Sequence, residues 1–112
     1  MAEMIDALQG LIDRFNEKAE KDGEFRDYWK DKTRSISVTF TDDGQFSFNL
    51  RDARLVGLRP EGIAEPDIKI TTDTETFNAL IEKRMGAMKA LALRKVQVKA
   101  SLEDMLAIRK LL

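Results

Sequence analysis

From Arg34 onward apolar and polar residues alternate. Ile36, Val38 and Phe40 fall between Ser35, Ser37, Thr39 and Thr41, and Phe46, Phe48 and Leu50 flank Ser47 and Asn49. A period of two places one set on each face of a strand. Between the two runs lies Asp42-Asp43-Gly44-Gln45, whose Asp-Gly pair suits the positive backbone angles of a tight hairpin. A second reversal at Asp52-Ala53 leads to a third strand around Leu55 to Arg59, stopped by Pro60 and Gly62. Ile68 and Ile70 alternate with Asp67, Lys69 and Thr71 in a fourth, and Val96 and Val98 mark a fifth from about Lys95 to Ala100. Each strand is apolar on one side only, which predicts a sheet with one solvated and one covered face.

The period lengthens at both ends of the chain. Met4, Ile5, Leu8, Leu11, Ile12 and Phe15 recur at helical spacing, predicting a helix from about Ala2 to Lys21 with Asp22-Gly23 as its stop. A shorter helix follows, with Phe25, Tyr28 and Trp29 on one face. Thr72-x-x-Glu75 reads as a capping box ahead of Phe77, Leu80, Ile81, Met85 and Met88. Gly86 interrupts that stripe before Met88, Leu91 and Leu93, and Ser101-x-x-Asp104 opens a last helix bearing Leu102, Met105, Leu106, Ile108 and Leu112. The order predicts an α+β domain, one unit over residues 1–112, with helices covering one face of the sheet.

Charge and residue types narrow the chemistry. Nineteen cations against 20 carboxylates give a net charge of −1, and interleaved pairs such as Glu17-Lys18 and Asp31-Lys32 read as a mixed solvated surface. That balance argues against a nucleic-acid partner. Without histidine or cysteine the chain lacks the groups for thiol or Ser-His-Asp catalysis and for most zinc sites. Asp42 with Asp43, Asp73 with Glu75 and Glu103 with Asp104 fit a turn and the first turns of two helices, where negative charge favours the helix dipole. Lysine chemistry stays open by residue type, but nothing singles out one lysine. No cofactor is expected, no stable membrane insertion, and a cytoplasmic location.

The segment PDIKITTDTETFNALIEKRMGAMKALALRKVQVKASLEDMLAIRKLL resembles the sterol-carrier-protein (sterol transfer) family, and is most similar to its short prokaryotic and archaeal members. The shared features are a Pro-Asp before a strand ending Thr-Thr-Asp, a Phe opening a short apolar helix, a Lys-Val-x-Val-Lys strand, and Ser-Leu-Glu-Asp opening the final helix. The likeness is good over about residues 66–112 and looser over the strands from Arg34, Asn16-Glu17-Lys18 and Phe25 to Trp29. It implies a five-stranded, largely antiparallel sheet with helices over one face enclosing an apolar tunnel. By position the tunnel lining would include Phe77, Leu80, Ile81, Met85, Met88, Leu91, Met105 and Ile108, over a floor of Phe46, Phe48 and Val98. Two departures stand out: Arg94 and Ala100 occupy positions where the family commonly has glycine, so the turn into the fifth strand is made without one.

The expected function is therefore a non-catalytic lipid carrier for a fatty acid, acyl-CoA or similar apolar ligand, with Ser101 to Leu112 as its gate. Deleting Leu111 and Leu112 is expected to weaken retention more than stability. The alternative is an interaction module with a filled core, docking to a lipid- or thioester-metabolising enzyme or forming a homodimer.

Overall fold

The computed structural model describes residues 2–111, with side chains over 4–107; Leu112 and the side chains of Ile108 and Leu111 therefore lie outside the described residues. Five strands form one sheet: β1 (Arg34–Phe40), β2 (Gly44–Arg51), β3 (Arg54–Arg59), β4 (Ile68–Thr72) and β5 (Gln97–Lys99). Around them lie α1 (Ala2–Lys21), α2 (Gly23–Trp29), α3 (Thr74–Ile81), α4 (Ala87–Ala92) and α5 (Leu102–Leu111).

The order across the sheet is β3-β2-β1-β4-β5. β1 and β4 run parallel and the other pairings are antiparallel, so the expected largely antiparallel sheet is mixed. The reason is topological. The chain leaves β3 at one edge and must return to start β4 beyond β1. Ser47, fully buried on the polar face, donates its hydroxyl to the Glu61 carbonyl at 2.6 Å and pins this crossover. Periodicity fixes which face a residue takes and carries no information about strand direction.

Both hairpins use left-handed backbone. Gly44 has φ 115° at the first, while Asp52 and Ala53 take φ 53° and 60° at the second without a glycine. Between Asn49 and Ser47 the register with β3 slips by one residue, and Gly57 at φ 75° absorbs the extra residue as a bulge.

α1 lies against β3, and its Met4, Leu8, Ile12 and Ala19 are buried in the core. Asn16 reinforces the contact: its side-chain amide donates to the Leu55 carbonyl at 3.0 Å and accepts from the Leu55 N–H at 2.8 Å. One side chain thus satisfies the outward groups of Leu55 on an edge strand, a position that otherwise invites pairing with another chain. Phe15, Phe25, Trp29 and Tyr28 stack edge-on between α1 and α2. Asp22, expected to end the first helix, also caps the second by accepting from the Glu24 and Phe25 N–H groups.

The capping boxes are simpler than expected. Asp73, not Thr72, caps α3, accepting from the N–H and hydroxyl of Thr76. Thr72 instead donates to the Lys95 carbonyl, tying β4 to the approach of β5. Ser101 accepts from the Asp104 N–H, as a cap should. The Asp104 carboxylate does not reach back, because Arg34 claims it.

Candidate functional site

The apolar face of the sheet is built in register. Phe46, Val38, Ile70 and Val98 stand opposite one another across β2, β1, β4 and β5, and Phe48, Ile36 and Ile68 form the neighbouring row. Burial falls along the first row: Phe46 and Val38 are buried, whereas Ile70 and Val98 are only half-buried. The expected floor residues Phe46, Phe48 and Val98 therefore share one face but not one environment. Phe40 lies between floor and roof, its ring 5.7 Å from that of Phe46 and 5.2 Å from that of Phe77, both edge-on.

The expected roof divides in two. Phe77 belongs to the buried core and Ile81 packs against it. Leu80, Met85, Leu91 and Met105 are half-buried and outside the core cluster, and Met88 is exposed. Ile108 lies outside the described side chains. Two short connections position this roof. Lys83 and Arg94, each at φ 59°, are the left-handed residues that end α3 and α4. After each, the next N–H bonds back to the last turn, Arg84 to the Ala79 carbonyl at 2.8 Å and Lys95 to the Ala90 carbonyl at 2.9 Å. Arg94 is thus the residue that makes the glycine-free turn, and it faces solvent.

An ion pair holds α5. Asp104, 5% exposed, receives Arg34 Nε at 2.9 Å on each carboxylate oxygen, and Ala107 one turn later is buried in the core. Lys32 and Arg34 also lie 4.0 Å from Glu103. At the other end of β1, Asp42 accepts from the hydroxyl and N–H of Thr74, joining the hairpin turn to the start of α3. Those two donors, the hydroxyl first, hold the Asp42 carboxyl below its ordinary value.

Two clefts lie at the surface. One of about 420 Å³ lies at the polar face, bordered by Pro66, Lys69, Lys99 and Ser101. The other, about 250 Å³, lies between Asp73, Thr76, Arg84, Met85 and Lys95. Of the expected lining residues only Met85 borders either. Among the described residues no cluster of acidic side chains is placed to hold a metal ion. Every buried polar side-chain atom described has a hydrogen-bond partner.

The SCP-2 sterol transfer family matches residues 9–112. The chain belongs to this family. Membership carries the coarse function, lipid binding or transfer. No curated protein matches the sequence. Among solved structures, sterol carrier protein 2 like 2 from Aedes aegypti aligns over 100% of both chains, with TM-score 0.66 and 13% identity. Its palmitated form aligns over 89% of this chain and 88% of that one, with TM-score 0.63 and 14% identity. A sec-alkyl sulfatase from Pseudomonas shares the fold over 78% of this chain at TM-score 0.64 and 15% identity. The chain spans only 14% of that sulfatase. At such identities the likeness concerns the fold alone.

The sequence patterns named the apolar side chains and missed the polar groups that position them. Neither Arg34–Asp104 nor Asp42–Thr74 has a local signature, since the partners lie 70 and 32 residues apart. Phe40 was legible as a strand residue; its place in the site depends on the register with Phe46 and the approach of α3.

Proposed function

We propose that the protein carries a single-chain lipid or acyl thioester between the β4–β5 half of its sheet and the roof formed by α3, α4 and α5. The observation that carries this reading is the burial gradient from Phe46 and Val38 to Ile70 and Val98. Half-buried Leu80, Leu91 and Met105 lie in α3, α4 and α5, and Met85 in the connection between the first two. A hydrocarbon chain there would bury apolar surface on floor and roof together. At about 0.8 kcal/mol per methylene, eight to ten buried methylenes contribute about 6–8 kcal/mol toward offsetting the cost of association, and a longer chain contributes more. With the buried polar atoms already paired, the headgroup would stay outside the interior. The palmitate on the Aedes aegypti relative supports a fatty acyl ligand. Binding and release need no chemical step, which fits the absence of histidine and cysteine.

The test is native mass spectrometry of the purified protein, before and after incubation with palmitate, with organic extraction of the same sample. The expected result is a discrete mass increment recovered as a lipid, and its loss in Met85→Trp and Met105→Trp, whose indoles would occupy the space. A protein that stays at 12.8 kDa under both conditions would sink the carrier reading. The second reading, an accessory unit working with an enzyme, is favoured by the sulfatase, in which a unit of this fold makes up part of a much longer chain. In that case the same Trp substitutions would disturb assembly with the enzyme and leave no lipid to lose.

A further inference from the structure

The even mixture of charges seen over the whole chain breaks down in one place. Residues 83–99 hold Lys83, Arg84, Lys89, Arg94, Lys95 and Lys99 and not one carboxylate, leaving 13 cations against 20 carboxylates elsewhere. Five of these cations, Lys83 to Lys95, surround α4, and all five are exposed. Arg84 pairs with Glu82 at 2.8 Å; among the described residues Lys83, Lys89, Arg94 and Lys95 have no carboxylate within 4.0 Å. Beside them Met88 and Leu93 are 52% and 54% exposed.

We propose that this segment, Lys83–Lys95, is the surface on which the protein docks to an anionic lipid bilayer. Charge complementarity and exposed apolar side chains act together there. Each cation brought to an anionic leaflet strengthens binding about fivefold, while Met88 and Leu93 enter the headgroup region. The left-handed turns at Lys83 and Arg94 bracket α4, setting Lys83 and Arg84 before it and Arg94 and Lys95 after it, with Lys89 on the helix itself. A nucleic acid fits less well: the segment has no Phe, Tyr or Trp for base stacking, and phosphates would leave Met88 and Leu93 in water. α1, the longest helix, is a poor alternative. Its apolar face is spent on β3, and Glu3, Asp6, Asp13, Glu17 and Glu20 outnumber Arg14, Lys18 and Lys21.

This inference goes beyond the carrier reading and adds where cargo would be exchanged, because Met85, Met88 and Leu91 belong to the same segment. It is tested by sedimentation of the full chain with phosphatidylcholine vesicles, with and without about 30% phosphatidylserine. The expected result is binding at least about tenfold tighter to the anionic vesicles, most of it lost in about 0.5 M NaCl. Lys89→Glu with Arg94→Glu should weaken binding by at least about twentyfold, and the neutral Leu93→Ser should weaken it without changing its salt dependence. The same reversal at Lys18 and Lys21 on α1 is the control and should have little effect. Circular dichroism and a thermal melt establish that each variant is folded. Equal binding to neutral and anionic vesicles, no binding to either, or no response to the Lys89/Arg94 reversal would overturn the proposal. Lipid retention by mass spectrometry is read separately, so failure of docking and failure of cargo binding remain distinguishable.

Discussion

The β2 half of the sheet and the β5 half share one hydrogen-bonded ladder and differ in what covers them. On the β3 side, a 20-residue helix packs on the edge strand and carries four buried side chains, and Asn16 bonds the outward groups of Leu55. On the β4–β5 side the helices are short, and α3 and α5 reach the core cluster at separate points, through Phe77, Ala107 and the Arg34–Asp104 pair, while no described residue of α4 joins it. The first half is close-packed, so any lost methylene leaves a cavity. The second keeps apolar side chains half-exposed, surface whose burial awaits something else. One fold thus joins a half whose apolar cover is buried to a half whose apolar cover is only partly so.

The largest effects should come from the first half. Leu8 is 1% exposed in the core, and Leu8→Ala should cost about 2–5 kcal/mol in a urea titration. Met105→Ala, half-buried and outside the core cluster, should cost under about 1 kcal/mol by the area it buries. Equal losses would mean that the two halves are packed alike, and the comparison would fail.

Next comes the latch. Arg34→Met removes the partner of a nearly buried carboxylate, and the stranded Asp104 should cost about 2–3 kcal/mol. Replacing both, Arg34→Met with Asp104→Leu, should recover most of that loss, because the penalty belongs to the unpaired charge. A double-mutant cycle reads this directly. Since the pair fastens α5, Arg34→Met should also shorten lipid retention, whereas Leu8→Ala should alter stability with little change in retention per folded molecule.

How much of this was legible in the sequence follows the same divide. Helical spacing in α1 and alternation in β1 and β2 name nearly all of the first half, because there the pattern and the burial agree. Leu11 is an exception, 39% exposed at the margin of the stripe. In the second half the pattern still marks helices, but an apolar stripe does not say whether it meets protein or ligand. Met88 and Leu91 share one stripe and one helix, yet one is exposed and the other half-buried. The fifth strand is also shorter than alternation suggested, three residues from Gln97 to Lys99, because the turn after Arg94 and the cap at Ser101 consume its ends. Fold class and family were readable from local order; strand direction, the Arg34–Asp104 latch and the left-handed turns depend on contacts far apart in sequence.

One of those turns offers a smaller test. A side chain in the left-handed region costs about 1 kcal/mol that glycine avoids, and Arg94 is exposed, its side chain forming no hydrogen bond or ion pair among the described residues. Arg94→Gly should therefore stabilise the protein by about 1 kcal/mol, less whatever the more flexible unfolded chain takes back. Ala53→Gly, at φ 60°, removes similar strain but also a methyl buried in the first half, so it should give no net gain. A gain at both positions would show that burial at Ala53 contributes nothing.

The smallest expected effect separates two exposed carboxylates. Asp42 is held below its ordinary value of 3.8 by Thr74 donors, and Glu17 below 4.5 by Lys21, first through its hydrogen bond and then through its charge. Both shifts are downward. Each therefore adds stability that is present above the ordinary value and is lost as pH falls through the lower folded value. Salt should tell them apart. The Thr74 donors are neutral, so added NaCl should leave the Asp42 shift in place, while the Lys21 charge is screened and the Glu17 shift shrinks. Carboxyl titration by NMR at low salt and at about 0.5 M NaCl measures both in one sample. If the Asp42 shift also disappears, it arises from the general field of the molecule, and the hairpin turn does not grip the start of α3 as the two hydrogen bonds require.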